Sequence, residues 1–164
     1  MDKEELENKI KNLEEELKNI KSGLEKNGKI KRRKPKNGEL YWIVDSDNNV
    51  KDILHWDDDD YDTDYYNNYN CFLTEEEAEK VQRIKETENM LRRYVEEHDE
   101  VELDWENSLQ RKWNLVYNFE KKEIYCDYDY SFKHPRTIYA SSDEILQEAV
   151  KEIGEARIEE YTQN

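Results

Sequence analysis

Three patterns of apolar and polar positions follow one another along the chain. The first is a heptad: Leu6, Ile10, Leu13, Leu17, Ile20 and Leu24 recur at spacings of 4, 3, 4, 3 and 4 residues. That is a coiled-coil seam, with Leu6, Leu13 and Ile20 at d and Ile10, Leu17 and Leu24 at a. Asp2, Glu4 and Glu5 lie near the helix start and Lys21 and Lys26 near its end, the polarity a helix dipole favours. Residues 1–27 therefore read as one amphipathic helix. Its seam holds a second copy in a parallel homodimer, or lies against its own domain, because three heptads alone are marginal in water. The pattern then stops: residues 28–38 hold Gly28, Pro35, Gly38 and the basic side chains Lys29, Lys31, Arg32, Arg33, Lys34 and Lys36. Gly and Pro interrupt regular structure and like charges repel, so this is a linker.

The second pattern is alternation. Leu40 to Leu54 places two β-rich runs around Asp45-Ser46-Asp47-Asn48-Asn49, a turn composition, and predicts a hairpin. From Arg111 to Phe119, Trp113, Leu115, Tyr117 and Phe119 share one face and Lys112, Asn114 and Asn118 the other. Glu120-Lys121-Lys122 turns the chain, after which Ile124, Cys126, Tyr128 and Tyr130 oppose Tyr125, Asp127 and Asp129. A third strand is expected around Thr137-Ile138-Tyr139. The third pattern is helical spacing. Thr74-Glu75-Glu76-Glu77 is a capping box, and Ala78, Val81, Ile84, Leu91, Tyr94 and Val95 carry the stripe to about His98. Ser141 or Ser142 opens a last helix with Ile145, Leu146, Ala149, Val150, Ile153 and Ile158 inward. Residues 39–164 thus form an α+β domain, a small antiparallel sheet with helices packed on one face.

Composition sharpens this picture. Charged residues make up 41% of the 164 and hydrophobic ones 35%, the latter below the roughly 45–50% of average globular proteins. Leu, Ile, Val and Phe number 33, near the edge of disorder, yet 16 Tyr and Trp residues supply large rings for a packed core. The charge is divided. Residues 1–38 carry a net +4 and residues 39–164 a net −20. No apolar run approaches the roughly 18 residues of a membrane span, Met1-Asp2-Lys3-Glu4-Glu5 is no signal peptide, and two cysteines make no disulfide framework. A cytoplasmic protein is expected, with no membrane partner.

Catalytic signatures are missing. His55, His98 and His134 fit no HExxH or HxH spacing, Cys71 and Cys126 make no C-x-x-C, and four glycines leave no phosphate-cradling loop. Neither an enzyme nor a cofactor is expected. The densest feature is Trp56-Asp57-Asp58-Asp59-Asp60-Tyr61-Asp62-Thr63-Asp64-Tyr65-Tyr66, with six carboxylates in eight positions. It is a solvated acidic loop, a Ca²⁺ site, or a mimic of nucleic acid. An EF-hand from Asp45 fails, since Val50 stands where Gly is needed and Trp56 where the bidentate Glu belongs. For mimicry, duplex DNA shows about one negative charge per 1.7 Å of axis, and carboxylates on alternate strand residues, such as Asp127 and Asp129, lie about 6.6–6.8 Å apart. A domain so acidic is steered to a basic partner and repelled from free DNA.

Several segments resemble a family of small acidic proteins encoded by phages and prophages of Gram-positive bacteria. They are Tyr41-Trp42-Ile43-Val44-Asp45, Val50, Trp56-Asp57-Asp58-Asp59, Asn70-Cys71-Phe72-Leu73-Thr74-Glu75-Glu76-Glu77-Ala78-Glu79, Thr137-Ile138-Tyr139 and Glu152-Ile153-Gly154-Glu155-Ala156-Arg157-Ile158. The likeness covers roughly residues 40–161, with the arm and linker shared more loosely. It implies a phage accessory protein, a class rich in inhibitors of host defence, including anti-CRISPR and anti-restriction proteins, and it carries over no catalytic residue. The expected function is inhibition of a host defence nuclease such as Cas9, or its guide complex, through Asp57, Asp58, Asp59, Asp60, Asp62 and Asp64, with Tyr61, Tyr65 and Tyr66 as contact rings and Asp127 and Asp129 extending the field. Two alternatives stand beside it, a phage assembly module built on the coiled coil and a Ca²⁺ or small-ligand binding protein.

Overall fold

The computed structural model describes residues 33–53 and 55–164. The heptad positions Leu6, Ile10, Leu13, Leu17, Ile20 and Leu24 lie outside the described residues. The chain divides into two units between Lys34 and Pro35. The second unit is α+β, with two antiparallel hairpins and four helices among the described residues. In chain order these are β1 (Tyr41–Val44), β2 (Val50–Ile53), α1 (Asp60–Asn67), α2 (Glu75–His98), β3 (Lys112–Asn118), β4 (Glu123–Asp129), α3 (Asp143–Ile153) and α4 (Glu155–Thr162).

The first hairpin forms where its turn chemistry places it. Asp45 Oδ1 accepts the N–H groups of Asp47 and Asn49 at 3.0 and 2.8 Å, and Asn48 takes the left-handed conformation at φ 62° that Asn tolerates. The second carboxylate oxygen of Asp45 is ion-paired with Lys51. Trp42 bridges to Phe72, and the Asn70 side chain both accepts from the Val44 N–H (2.9 Å) and donates to its C=O (2.8 Å). The outer edge of β1 is therefore closed. Tyr41, Ile43, Trp56 and Cys71 form a small core here, with Tyr65 and Tyr66 packed against it.

Helix α2 spans both halves of the unit. Its Thr74 cap accepts the Glu77 N–H at 3.2 Å, while Glu77 reaches back one residue beyond the cap to the Leu73 N–H. It packs against β1, β2, α3 and α4. Leu91, Tyr94 and Val95 join Ile138, Ala140, Leu146, Ala149, Ile153 and Ile158 in the main core, and Trp113, Leu115, Ile124 and Cys126 press on it from the second hairpin. The face expected of the β3–β4 hairpin thus packs inward at these four positions, whereas Phe119, Tyr128 and Tyr130 of the same face are exposed.

Four expectations need correction. The hairpins form two two-stranded sheets rather than one. The third strand reduces to one bridge, Ala140 to Trp113, because Asp99 takes the Ser141 N–H at 2.6 Å and turns the chain into α3. The last helix is two helices, separated by Gly154 at φ 102°. Lys112 and Asn114, read as the solvated face of β3, are buried. Lys112 Nζ donates to the carbonyls of Asn107 (2.8 Å) and Tyr130 (2.7 Å) and lies 5.4 Å from the centre of the Trp105 ring.

Candidate functional site

The acidic run after β2 is a short irregular stretch, Asp57 to Asp59, held in place and leading into helix α1. Trp56 is 1% exposed. Its backbone pairs with Gly38 and Glu39, and its ring meets Tyr41 and Tyr66 edge-on with centroids 5.5 and 6.3 Å apart. The chain then turns through Asp58, at φ 62°, into the cap of α1. Asp59 is that cap: its Oδ1 accepts the Asp62 N–H at 2.8 Å. The Asp62 side chain points the other way, into the protein. Its Oδ2 accepts the N–H groups of Asp57 (2.7 Å) and Asp58 (3.0 Å), and its Oδ1 accepts the Tyr41 hydroxyl (2.6 Å).

One carboxylate of the six is thus the keystone of the segment. Burial pushes the Asp62 carboxyl up, but the Tyr41 hydroxyl and the two backbone N–H groups outweigh it and hold the carboxyl below its ordinary range. The partner phenol moves the opposite way, raised by burial and by the adjacent charge. Asp57, Asp58, Asp59, Asp60 and Asp64 are exposed around this anchor, and Tyr61 stands among them at 75% exposure. The first turn of α1 places acidic side chains where the helix dipole favours them.

The expected site residues therefore separate. Asp57 to Asp60, Tyr61 and Asp64 share one outward segment. Asp62 is buried, and Tyr65 and Tyr66 are half-buried against the small core. Asp127 and Asp129 lie on β4, in the other sheet. Asp127 is exposed. Asp129 is occupied, by the Tyr139 hydroxyl at 3.3 Å and by His134 at 3.7 Å. Sequence reasoning passed over Tyr69, which is 78% exposed just beyond α1; the only signal for it was a ring in an Asn-rich turn.

Elsewhere His98 and Cys126 are engaged structurally. His98 stacks on Tyr94 and bonds its carbonyl. Burial pushes the Cys126 thiol up to about 11, far from a thiolate at neutral pH. A cleft of about 430 Å³ between α2, residues 135–138 and α4 has Glu88 and Arg136 as its charged lining. Among the described residues, no three His, Cys, Asp or Glu side chains converge as a metal site would require. Compared with family models, with curated proteins and with solved structures, the chain finds no match.

Proposed function

We propose that this protein is a phage-encoded, non-enzymatic inhibitor that docks its acidic unit on the basic nucleic-acid- or guide-binding surface of a host defence nuclease such as Cas9. The observation that carries the reading is the inward Asp62. By binding the backbone of Asp57 and Asp58 and the hydroxyl of Tyr41, it fixes the segment that displays the other five carboxylates. A fixed array presents charge to a partner without the ordering entropy that a loose acidic loop loses on binding. Tyr61 supplies an exposed ring at its centre, the residue type that adds contact area at low entropy cost. The net −20 of residues 39–164 steers the unit toward cationic surfaces and away from nucleic acid itself. In this reading the heptad seam of residues 1–27 pairs two copies.

The test neutralises the array while sparing its anchor. Asp57→Asn, Asp60→Asn and Asp64→Asn together leave Asp59 and Asp62 in place. DNA cleavage by guide-loaded Cas9 is measured with the wild-type chain and with the triple variant. The expected result is inhibition by the wild type that weakens as salt screens the charges, and about tenfold weaker inhibition by the variant, roughly 1.4 kcal/mol. Undiminished inhibition by the variant removes this face from the account. A wild-type chain that neither binds nor inhibits the complex at low salt removes the target.

A further inference from the structure

Strand β4 has one edge against β3 and another with no strand beside it among the described residues. Trp113 exchanges both of its backbone hydrogen bonds with Ala140, at 2.8 and 2.9 Å. It therefore turns its N–H and C=O away from β4, and its register partner Tyr128 turns its own away from β3. By the same alternation, Ile124 and Cys126 aim their backbone groups outward. None of these four groups on Ile124 and Cys126 has a hydrogen-bond partner among the described residues. The Tyr128 N–H is held only by the carboxylate of the preceding residue, Asp127, at 2.9 Å. This differs from β1, whose outer edge Phe72 and Asn70 close.

We infer that the outer edge of β4 receives an extended, alternately basic and apolar segment of a partner protein, added as a further strand. The side chains flanking the open ladder decide the chemistry. Glu123, Tyr125, Asp127 and Asp129 lie on one face of β4, with Glu123, Tyr125 and Asp127 exposed. Ile124, Cys126 and Tyr128 lie on the other. Directly opposed residues on neighbouring strands stand about 4.5–5.5 Å apart, and opposite charges there attract. The residues of the incoming strand opposite Glu123 and Asp127 are therefore basic, and the one opposite Tyr125 meets its exposed ring, a surface that also takes a cation. The residues between meet the hydrophobic face, where Tyr128 is 38% exposed. A second copy of β4 does not fit. Laid antiparallel about Cys126, it sets Glu123 against Asp129, and like charges directly opposed repel. The hold of Asp127 on the Tyr128 N–H blunts the edge in the free protein, as charged side chains on edge strands do. A basic residue that draws this carboxylate away frees the N–H for the new ladder. The inference shares no residue with the Asp57–Asp64 face and stands whether or not that face docks on a nuclease.

The full chain is mixed with the blocked peptide Lys-Val-Lys-Val-Lys-Val-Lys, and amide hydrogen exchange is read residue by residue. The expected result is about tenfold slower exchange at Ile124 and Cys126, abolished in the Glu123→Gln/Asp127→Asn variant and absent with a peptide whose central Val is Pro. The Asp57→Asn/Asp60→Asn/Asp64→Asn variant keeps the protection. The inference is overturned if the peptide binds and leaves the Ile124 and Cys126 amides unchanged. It is equally overturned if the Pro peptide protects them as well, or if neutralising the α1 segment removes the effect.

Discussion

The Tyr41 hydroxyl donates to the Asp62 carboxylate across 2.6 Å, joining the first strand to the acidic segment 21 residues later. Both partners are buried, Tyr41 at 0% and Asp62 at 5% exposure. A buried hydrogen bond to a charged acceptor contributes about 1.5–3 kcal/mol. Tyr41→Phe keeps the ring packed on Trp56 and removes the bond, so it should lower stability by about that amount. Asp62→Asn is worse, because it takes the charge out of all three hydrogen bonds: its oxygen keeps the Asp57 and Asp58 N–H groups, its N–H turns to the Tyr41 oxygen, and neutral bonds are roughly half as strong as charged ones; a loss of about 3 kcal/mol is expected. Urea denaturation of the two variants measures both, and Asp62→Asn no less stable than Tyr41→Phe contradicts the keystone role.

The same carboxylate gives stability a pH dependence. Its hydrogen bonds hold the folded-state value below the ordinary one. Between the two, the unfolded chain binds the extra proton, so the stabilisation is complete above the ordinary carboxylate range and is lost as pH falls through the folded value. Asp45 beside Lys51, Glu160 beside Arg83, and Glu144 are depressed as well and act with the same sign. The melting temperature should therefore fall as pH drops below about 5, and fall less in Asp62→Asn, which retains the other three groups and lacks this one. Equal slopes would mean that Asp62 is not ionised in the native protein.

How much of this was legible in the residues depended on whether a pattern had one physical cause. Alternation from Arg111 to Phe119 and from Ile124 to Tyr130 corresponds to β3 and β4 in register, since a two-residue period admits one pleat. The Thr74 cap likewise marks the start of α2. Helix α1 escaped because Asp, Tyr, Thr and Asn are weak helix formers, and its stability comes from a cap and a buried carboxylate. Six aspartates look alike in a sequence. The spacing of Asp59 and Asp62, three apart as in a helix cap, was the one clue to which of them is engaged. Lys112 was placed outside by its charge, although a long side chain satisfied by two carbonyls can be buried. The break at Gly154 was written in Ile153 and Ile158, whose interval of five departs from the helical rhythm.

Gly154 sits at φ 102° and ψ 128° between α3 and α4, a region that L side chains rarely adopt. A Cβ there would touch nothing within 4 Å, so Gly154→Ala tests backbone strain alone. A loss of about 1–3 kcal/mol is expected. Straightening the two helices into one would relieve that strain only by removing Ile158, 0% exposed, from the core and Arg157 and Glu160 from their partners Glu86 and Arg83 on α2. Thermal unfolding of the variant gives the answer, and an unchanged midpoint would show that the turn tolerates a side chain.

Lys112 makes the segment between α2 and β3 part of the fold. That segment leaves the helix at Asp99, whose carboxylate holds both the N–H and the hydroxyl of Ser141 at 2.6 Å. Further along, Lys112 Nζ binds the Asn107 carbonyl within the segment and the Tyr130 carbonyl beyond β4, beneath the Trp105 ring. Trp105 in turn meets Tyr139 edge-on at 4.9 Å. Lys112→Met keeps most of the volume, leaves the Tyr130 carbonyl without its donor and leaves the Asn107 carbonyl with the Gln110 N–H alone, at 3.2 Å. An unsatisfied buried group costs about 1–3 kcal/mol, reduced where water reaches the freed carbonyl, so a net loss of about 1–2 kcal/mol is expected. The damage should be local before it is global. Glu102 and Glu106 become cleavable by a Glu-specific protease at denaturant concentrations where α2 remains helical by circular dichroism. If cleavage and helix loss instead coincide, the segment unfolds with the core, and Lys112 stabilises the whole unit rather than this strap.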